Sequence, residues 1–120
     1  MQMRGWIGAA ALFGLVAVAL GAFAAYGLEA SGDERAVALV ETGARYQMWH
    51  ALAMLGYAAH GRASRLPLAL WALGIVLFSF SLYALAFGAP RAVAFVTPVG
   101  GTAFLAGWAA LVWLAFRDRP

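Results

Sequence analysis

The sequence predicts an all-α integral membrane protein: a bundle of four transmembrane helices, with a short amphipathic helix between spans 1 and 2. Two observations predict this class. Of the 120 residues, 65% are hydrophobic and only 11% are charged, and the mean hydropathy is +0.83. A water-soluble domain has about a quarter of its residues charged, so most side chains here must face lipid or one another. In addition, long apolar runs recur along the whole chain.

Four apolar segments define the predicted spans of a single transmembrane domain, residues 1–120. They cover about residues 5–28, 45–59, 67–87 and 98–116. At 1.5 Å per residue, about 20 residues cross a hydrocarbon core of about 30 Å. The second segment is shorter and polar at its start, so its assignment depends on topology as well. The first also resembles a signal peptide, with Ala22-Phe23-Ala24 as a cleavage site, but its apolar run exceeds a signal core of roughly 7–15 residues. We expect it to be retained.

Charge placement predicts the orientation of the chain and supports the second span. Four spans place the two termini and the loop at 60–66 on one side of the membrane. The arginines on that side are Arg4, Arg62, Arg65, Arg117 and Arg119. The ionisable residues on the other side are Arg35, Arg45, Arg91, Glu29, Asp33, Glu34 and Glu41. Because positive charge favours the cytoplasm, we expect both termini there. A model with three spans, without the second segment, would place the basic loop at 62–65 and the acidic loop at 29–41 on the same side of the membrane. Four spans therefore fit the positive-inside rule better.

Local signals predict where two helices begin. The sequence Ser31-Gly32-Asp33-Glu34 fits a capping box, in which the serine and glutamate side chains bond each other's backbone donors. It opens the predicted amphipathic helix, residues 32–42, and the i,i+4 pair of Glu41 and Arg45 allows that helix to continue into the second span. Thr97-Pro98 places a capping hydroxyl before a proline at the first helical position, and so predicts the start of the fourth span.

Small residues at helical spacing predict where the helices pack. In lipid, helix association depends on close backbone approach and interhelical hydrogen bonds. The first span has such a stripe at Ala10, Gly14, Ala17, Gly21 and Ala25, and the fourth has one at Gly100, Ala103, Gly107 and Ala110. We assign helix packing to Gly14, Gly21, Gly100 and Gly107. The contacts that they make lie within the bundle or, alternatively, form the seam of a homo-oligomer.

The polar residues of the membrane segments gather at the start of the second span, at Arg45, Tyr46, Gln47 and His50. Ionisable groups inside a membrane are costly and often functional, so this is the candidate functional cluster, with His50 as its leading member. Alternatively, His50 bonds a neighbouring helix and Arg45 reaches for lipid headgroups.

Two serines of the third span allow a similar pair of interpretations. Ser79 and Ser81 either line a polar path or bond a carbonyl one turn back or on a neighbouring helix.

Other kinds of site are not predicted. The chain has no cysteine, so it has neither disulfides nor thiolate metal ligands. His50 and His60 would lie about 15 Å apart along a helix, too far to bind one haem iron. We find no Ser/His/Asp grouping, phosphate loop or metal-ligand spacing, and expect no catalytic, cofactor or metal site. The arginines are scattered, so the expected partner is the lipid bilayer rather than nucleic acid.

The order of four motifs carries a family resemblance. They are Gly21-Ala22-Phe23-Ala24-Ala25-Tyr26-Gly27-Leu28, Thr42-Gly43-Ala44-Arg45-Tyr46-Gln47-Met48-Trp49-His50-Ala51-Leu52, Phe78-Ser79-Phe80-Ser81-Leu82-Tyr83 and Thr97-Pro98-Val99-Gly100-Gly101. Together they resemble the small membrane proteins called domain of unknown function 423. The resemblance implies a multi-pass protein of the bacterial plasma (inner) membrane, and it brings no activity, cofactor or catalytic residue.

Two positions depart from the pattern of that family. The family commonly has a histidine at the position of Tyr26, which argues against a mechanism that needs two histidines. It commonly has a small residue at the position of Phe80, which suggests a repacked helix contact.

The sequence favours a non-enzymatic accessory, assembly or scaffold component, which presents helix faces to a partner in a larger membrane complex. A homo-oligomer is the other assembly that the sequence allows. The alternative is a small oligomeric transporter or channel with a polar path near His50. However, the first span has no carboxylate and the chain has no asparagine, and small multidrug transporters and small fluoride channels depend on these groups. An enzyme acting on lipid or quinone would need His50 with Tyr46, which is the least supported of the three.

Overall fold

The computed structural model describes residues 2–61 and 64–117, and this part of the chain is all helical. It contains four long helices: α1 (Met3–Ser31), α2 (Glu34–His60), α3 (Leu66–Ala86) and α4 (Arg91–Arg117). They form an elongated bundle of 55 × 26 × 21 Å. Two arginines used in the orientation argument, Arg62 and Arg119, lie outside the described residues.

Three of the helices change their winding along their length. The end of α1 is π-helical over Phe23–Leu28 and closes with a 3-10 turn, Glu29–Ser31. The middle of α3 is π-helical over Ile75–Ser79, and α4 opens with a 3-10 segment, Arg91–Phe95, before its α-helical part, Val96–Arg117. Short π segments in α-helices often lie at positions under a packing or functional constraint.

Helix α2 is the central helix of the bundle. It packs along α1 on one side and against α3 on the other, and α3 in turn packs against α4. Its buried residues recur every three or four positions from one end to the other, as one helical face requires: Ala36, Val40, Gly43, Ala44, Gln47, His50, Ala51, Met54, Tyr57 and Ala58. One face of the helix with the most polar sequence is therefore covered by its neighbours from Ala36 to Ala58, and the opposite face is exposed.

The structure confirms that the described part of the chain is all-α and has helices able to span a membrane. Helices α1, α3 and α4 are long and apolar enough, by length and composition, to cross a membrane. Helix α2 does not meet the same standard, because its hydropathy is lowered by Glu34, Arg35, Glu41 and Arg45 in its first half and by Gln47, His50 and His60 farther along. The exact four-span arrangement therefore stays a prediction.

The helix predicted at 32–42, between spans 1 and 2, is wrong in one respect, because it is not separate: it continues into the second span, as the pair of Glu41 and Arg45 allowed. Those residues form the first turns of α2, which runs without a break from Glu34 to His60. Its N-cap is Asp33, whose Oδ1 accepts a hydrogen bond from the Ala36 amide at 3.0 Å. Ser31 belongs instead to the end of α1, where its hydroxyl donates to the Leu28 carbonyl. The cap lies two residues later than predicted because Gly32, with a φ of 80°, makes the turn between the helices.

The predicted start of the fourth span is also wrong. The α-helical part of α4 already begins at Val96, so Thr97 lies inside the first turn rather than at its cap. The Thr97 hydroxyl instead donates to Ser81 Oγ on α3 at 2.5 Å, because the Ser81 proton is used on the Phe78 carbonyl. Pro98 fits within the first turn, since the amide that it lacks would have no helical partner there.

Candidate functional site

A buried glutamine joins three helices in the middle of the bundle. Gln47 has no exposed surface. Its Nε2 donates to the Phe13 carbonyl of α1 at 2.7 Å, and its Oε1 accepts from the Tyr83 hydroxyl of α3, also at 2.7 Å. A buried amide left without partners would be costly. These two bonds satisfy one donor and one acceptor, and they fix α2 against both neighbours.

A second contact lies one turn earlier and completes a polar seam between α2 and α3. The Ser79 hydroxyl donates to the Gly43 carbonyl at 2.7 Å. A Cβ at Gly43 would lie only 2.6 Å from Tyr83 Cε1, so this position accepts only glycine without a shift of the ring. Because Gly43 and Gln47, like Ser79 and Tyr83, are four residues apart, each pair occupies one helical face. We call these four residues the polar seam.

His50 faces α4 and makes two hydrogen bonds. Its Nδ1 lies 2.7 Å from the Tyr46 carbonyl, and its Nε2 lies 3.1 Å from Trp108 Nε1. An indole nitrogen is a donor only, so Nε2 must accept and Nδ1 must carry the proton. The imidazole also stacks on Phe104, with 3.7 Å between ring centroids and 10° between planes. The two bonds and the stacking hold His50 in one tautomer and one orientation.

Glycines allow the aromatic side chains around His50 to enter the bundle. A Cβ at Gly74 would lie 2.3 Å from the Phe104 ring, and one at Gly107 would lie 2.5 Å from Trp71. The closest approach is at Gly100, where a Cβ would lie 2.2 Å from the backbone nitrogen of Phe78. The π-helical segment of α3 is thus in backbone contact with α4 at this glycine.

A groove opens beside His50 between α2 and α4. It measures about 510 Å³, and its walls are mainly aromatic: Tyr46, Trp49, His50, Phe78, Phe104 and Trp108, with Pro98, Gly101, Thr102 and Leu105. Its hydroxyl groups come from Tyr46 and Thr102, and Thr102 already donates to the Pro98 carbonyl. The groove can accept an apolar or aromatic group. Within the described residues, no three His, Cys, Asp or Glu side chains come together as a metal site would require.

The predicted cluster of Arg45, Tyr46, Gln47 and His50 divides among different surroundings. Arg45 is exposed, because it is about 140° around the helix from His50 and about 160° from Gln47. Gln47 faces α1 and α3, whereas His50 faces α4. Tyr46 is half-buried, and its ring packs on Trp49 and Phe78. Tyr46 and His50 therefore line the same groove, whereas Arg45 and Gln47 lie outside it.

The four glycines assigned to packing fall into two groups. Gly100 and Gly107 lie at contacts too close for a Cβ. At Gly14 and Gly21 a Cβ would have its nearest neighbour 4.0 Å away, which is ordinary contact. The small residues of α1 therefore allow close packing on α2 without requiring glycine at these two positions.

Sequence reasoning missed several important members of the site. Gly43 and Tyr83 were not singled out as contact residues, although the spacing of Gly43 and Gln47 was a signal for a shared face. Trp71 and Trp108 were not singled out either, because nothing in an apolar span distinguishes a buried indole ring from one that faces lipid. Trp71 is fully buried, and its Nε1 has no hydrogen-bond partner in the described part of the chain.

The two positions that depart from the family pattern have different environments. Tyr26 is 83% exposed and lies away from His50 on the far end of α1. Phe80 packs edge-on against Phe13 of α1, with 6.4 Å between centroids, and also contacts Tyr83. The large side chain thus fills space between α1 and α3.

Comparison with known proteins gives consistent matches. The model of a family described as "Protein of unknown function (DUF423)" matches residues 20–101. A UPF0382 membrane protein of Haemophilus influenzae is 44% identical over 91% of each chain. The UPF0382 inner membrane protein YgdD of Escherichia coli K12 is 45% identical over 90% of this chain and 86% of its own. A UPF0382 membrane protein of Staphylococcus epidermidis is 39% identical over 92% of this chain and 93% of its own. No solved structure matches significantly.

Proposed function

This chain belongs to the DUF423 family of membrane proteins, and we propose that it is a four-span, non-enzymatic accessory or scaffold component of the bacterial inner membrane. One observation carries the proposal. The polar side chains inside the bundle are used to hold helices to one another: Gln47, Ser79 and Tyr83 between α1, α2 and α3, and His50 between α2 and α4. Side chains that are used in hydrogen bonds between helices stabilise one arrangement of the bundle, which supports a structural role over a catalytic one.

Burial supports the assignment of α2 as the second span. Its 27 residues measure about 40 Å, long enough to cross a bilayer. Its buried face extends from Ala36 to Ala58. Neighbouring helices shield Gln47 and His50 on this face from lipid, and this makes the low hydropathy of the second half of α2 tolerable. With α2 across the membrane, both termini lie in the cytoplasm by the positive-inside rule.

Single cysteines test this topology directly, since the chain has none of its own. Ser31→Cys is at the last residue of α1, beside the turn to α2, and Ser64→Cys lies between α2 and α3. In spheroplasts of a Gram-negative host, we expect a membrane-impermeant maleimide to label Cys at 31, and to label Cys at 64 only after permeabilisation. The cysteine-free chain is the control. Equal labelling of both in intact spheroplasts would place them on one side and refute four spans.

The outer surface of the bundle supports the accessory role. Helix α1 exposes Leu12, Leu15 and Val18, and α4 exposes Leu105 and Val112, each by more than half. Such faces contact lipid tails or the helices of a partner.

In-cell photocrosslinking tests for a partner. A photoreactive residue at Leu15 or Leu105 should give one discrete product with a different membrane protein, and a probe at the fully buried Val40 should give none. Recovery of only this chain at both exposed positions would contradict an accessory role and point to a homo-oligomer.

The transporter alternative requires His50 to be free to contact a solute. A polar path would need hydrophilic groups free to contact a solute, whereas both ring nitrogens of His50 have partners. In proteoliposomes, we expect no solute flux that depends on His50. A flux that disappears in His50→Ala, with the variant still folded, would favour transport over the accessory role.

A further inference from the structure

Two arginines from different helices line one concave region near the α1–α2 turn end of the bundle. The region measures about 760 Å³, and its lining includes Arg35 of α2 and Arg91 of α4. Its apolar part is formed by Leu85 of α3 and by Phe95 and Pro98 of α4. A volume of this size accommodates a small molecule or a lipid headgroup.

The positive charge of this region is not neutralised by the described residues. Both arginines are exposed, and neither side chain makes an ion pair or hydrogen bond within the described part of the chain. The nearby carboxylates of Glu29, Glu34 and Glu41 line a different depression, on another face of α2. The end of the bundle thus separates an acidic face from a basic concavity, and the latter attracts an anion.

The position of the concavity at the ends of three helices indicates which kind of anion it binds. Arg35 is the second residue of α2, Arg91 is the first of α4, and Leu85 is the penultimate residue of α3, so all three lie at the same end of the membrane segments. Arginine side chains at this depth extend to the headgroup level. Phe95, which is 81% exposed, gives the region an apolar wall beside the charges. A phospholipid has a charged phosphate next to apolar acyl chains, so arginines beside an apolar wall are complementary to it.

We propose that Arg35 and Arg91 together bind the phosphate of an anionic phospholipid, while Leu85 and Phe95 contact its glycerol backbone and upper acyl chains. Guanidinium groups suit this role because they donate two parallel hydrogen bonds to phosphate oxygens. The inference rests on the proposed four-span arrangement, which puts this end of the bundle at a membrane surface.

Native mass spectrometry of the purified chain in mild detergent tests the site. Phosphatidylglycerol is titrated onto the delipidated protein, with phosphatidylcholine and inorganic phosphate as parallel probes. We expect phosphatidylglycerol to bind at least about tenfold more tightly than phosphatidylcholine. Arg35→Gln and Arg91→Gln should each weaken its binding about tenfold, as expected for a lost hydrogen bond to a charged group. Because both side chains are exposed, these variants should fold, which tryptophan fluorescence checks.

The double variant and a matched control distinguish one shared phosphate from general charge attraction. If both arginines bind one phosphate, the double variant loses less than the product of the two single effects. Arg4→Gln, which removes an equal charge at the other end of the bundle, should leave the affinity unchanged. Multiplicative effects, an equal effect of Arg4→Gln, or inorganic phosphate that binds as tightly as the lipid would each overturn the proposal. If the cysteine labelling refutes four spans while the lipid result holds, only the topology fails.

Discussion

Replacement of Gly100 by alanine tests the closest helix contact in the bundle. A Cβ at this position would lie 2.2 Å from the backbone nitrogen of Phe78 and 2.7 Å from the carbonyl carbon of Leu77. Ordinary contact begins near 3.4 Å, so α3 and α4 would have to separate by about 1 Å at this level. The obstructing atoms belong to the backbone, and therefore no rotamer change relieves the clash.

The expected loss of stability follows from two opposing terms. Extra volume in a well-packed interior costs about 1–3 kcal/mol, and more where the surroundings cannot adjust. Alanine gains up to about 1 kcal/mol over glycine in helix propensity. Because the obstruction is backbone, we place the clash at the upper end, which leaves a net destabilisation of about 2 kcal/mol or more for Gly100→Ala.

The neighbouring glycine provides a matched control. A Cβ at Gly101 would meet the Phe78 ring at 3.8 Å, which is ordinary contact. Gly101→Ala therefore changes helix propensity by the same amount without a clash, and should unfold at or above the midpoint of the unmodified chain. Unfolding in mild detergent, followed by the fluorescence of the five tryptophans, measures both. If Gly100→Ala were as stable as Gly101→Ala, the close contact and the reasoning from it would be refuted.

Two further predictions concern the hydrogen bonds inside the bundle. Gln47→Leu should destabilise the protein by about 1–2 kcal/mol, and a double-mutant cycle with Tyr83→Phe should give a coupling of about 0.6–1.7 kcal/mol; additive effects would mean that the bond contributes nothing. In ¹⁵N-labelled protein, His50 should show a protonated Nδ1 and an accepting Nε2, because Trp108 donates to the latter. The opposite tautomer would contradict this bond, and Trp108→Phe should release the constraint on the ring.

Much of the fold could be predicted because it depends on local composition. The helix from Met3 to Ser31 and the one from Leu66 to Ala86 agree with the predicted spans to within about three residues at each end. A long apolar run in a membrane is helical because its backbone groups can then be satisfied within the segment itself. The continuity of α2 was harder to predict. The sequence indicated a capped helix at 32–42 and left open whether it continued into the second span. In the structure it does, and Gly43 within it is in close contact with Ser79 and Tyr83 of α3.

The candidate site could be predicted only as a region. The sequence drew attention to His50 and Gln47 because polar groups in a membrane segment are conspicuous. Their partners, Trp108 and Tyr83, are 58 and 36 residues away along the chain. No periodicity relates such distant residues, so the pairing could not be derived from spacing.

The sequence was sufficient to predict that this protein is helical, that it lies in a membrane and that its segment of lowest hydropathy carries Gln47 and His50. These properties follow from the hydrophobicity and helical period of nearby residues. The tertiary structure alone decided which glycines are indispensable to packing. Gly14 and Gly100 look equivalent in the sequence, yet a Cβ would have 4.0 Å of room at the first and 2.2 Å at the second. The difference lies in the partner, because the space beside a residue is set by the helix packed against it.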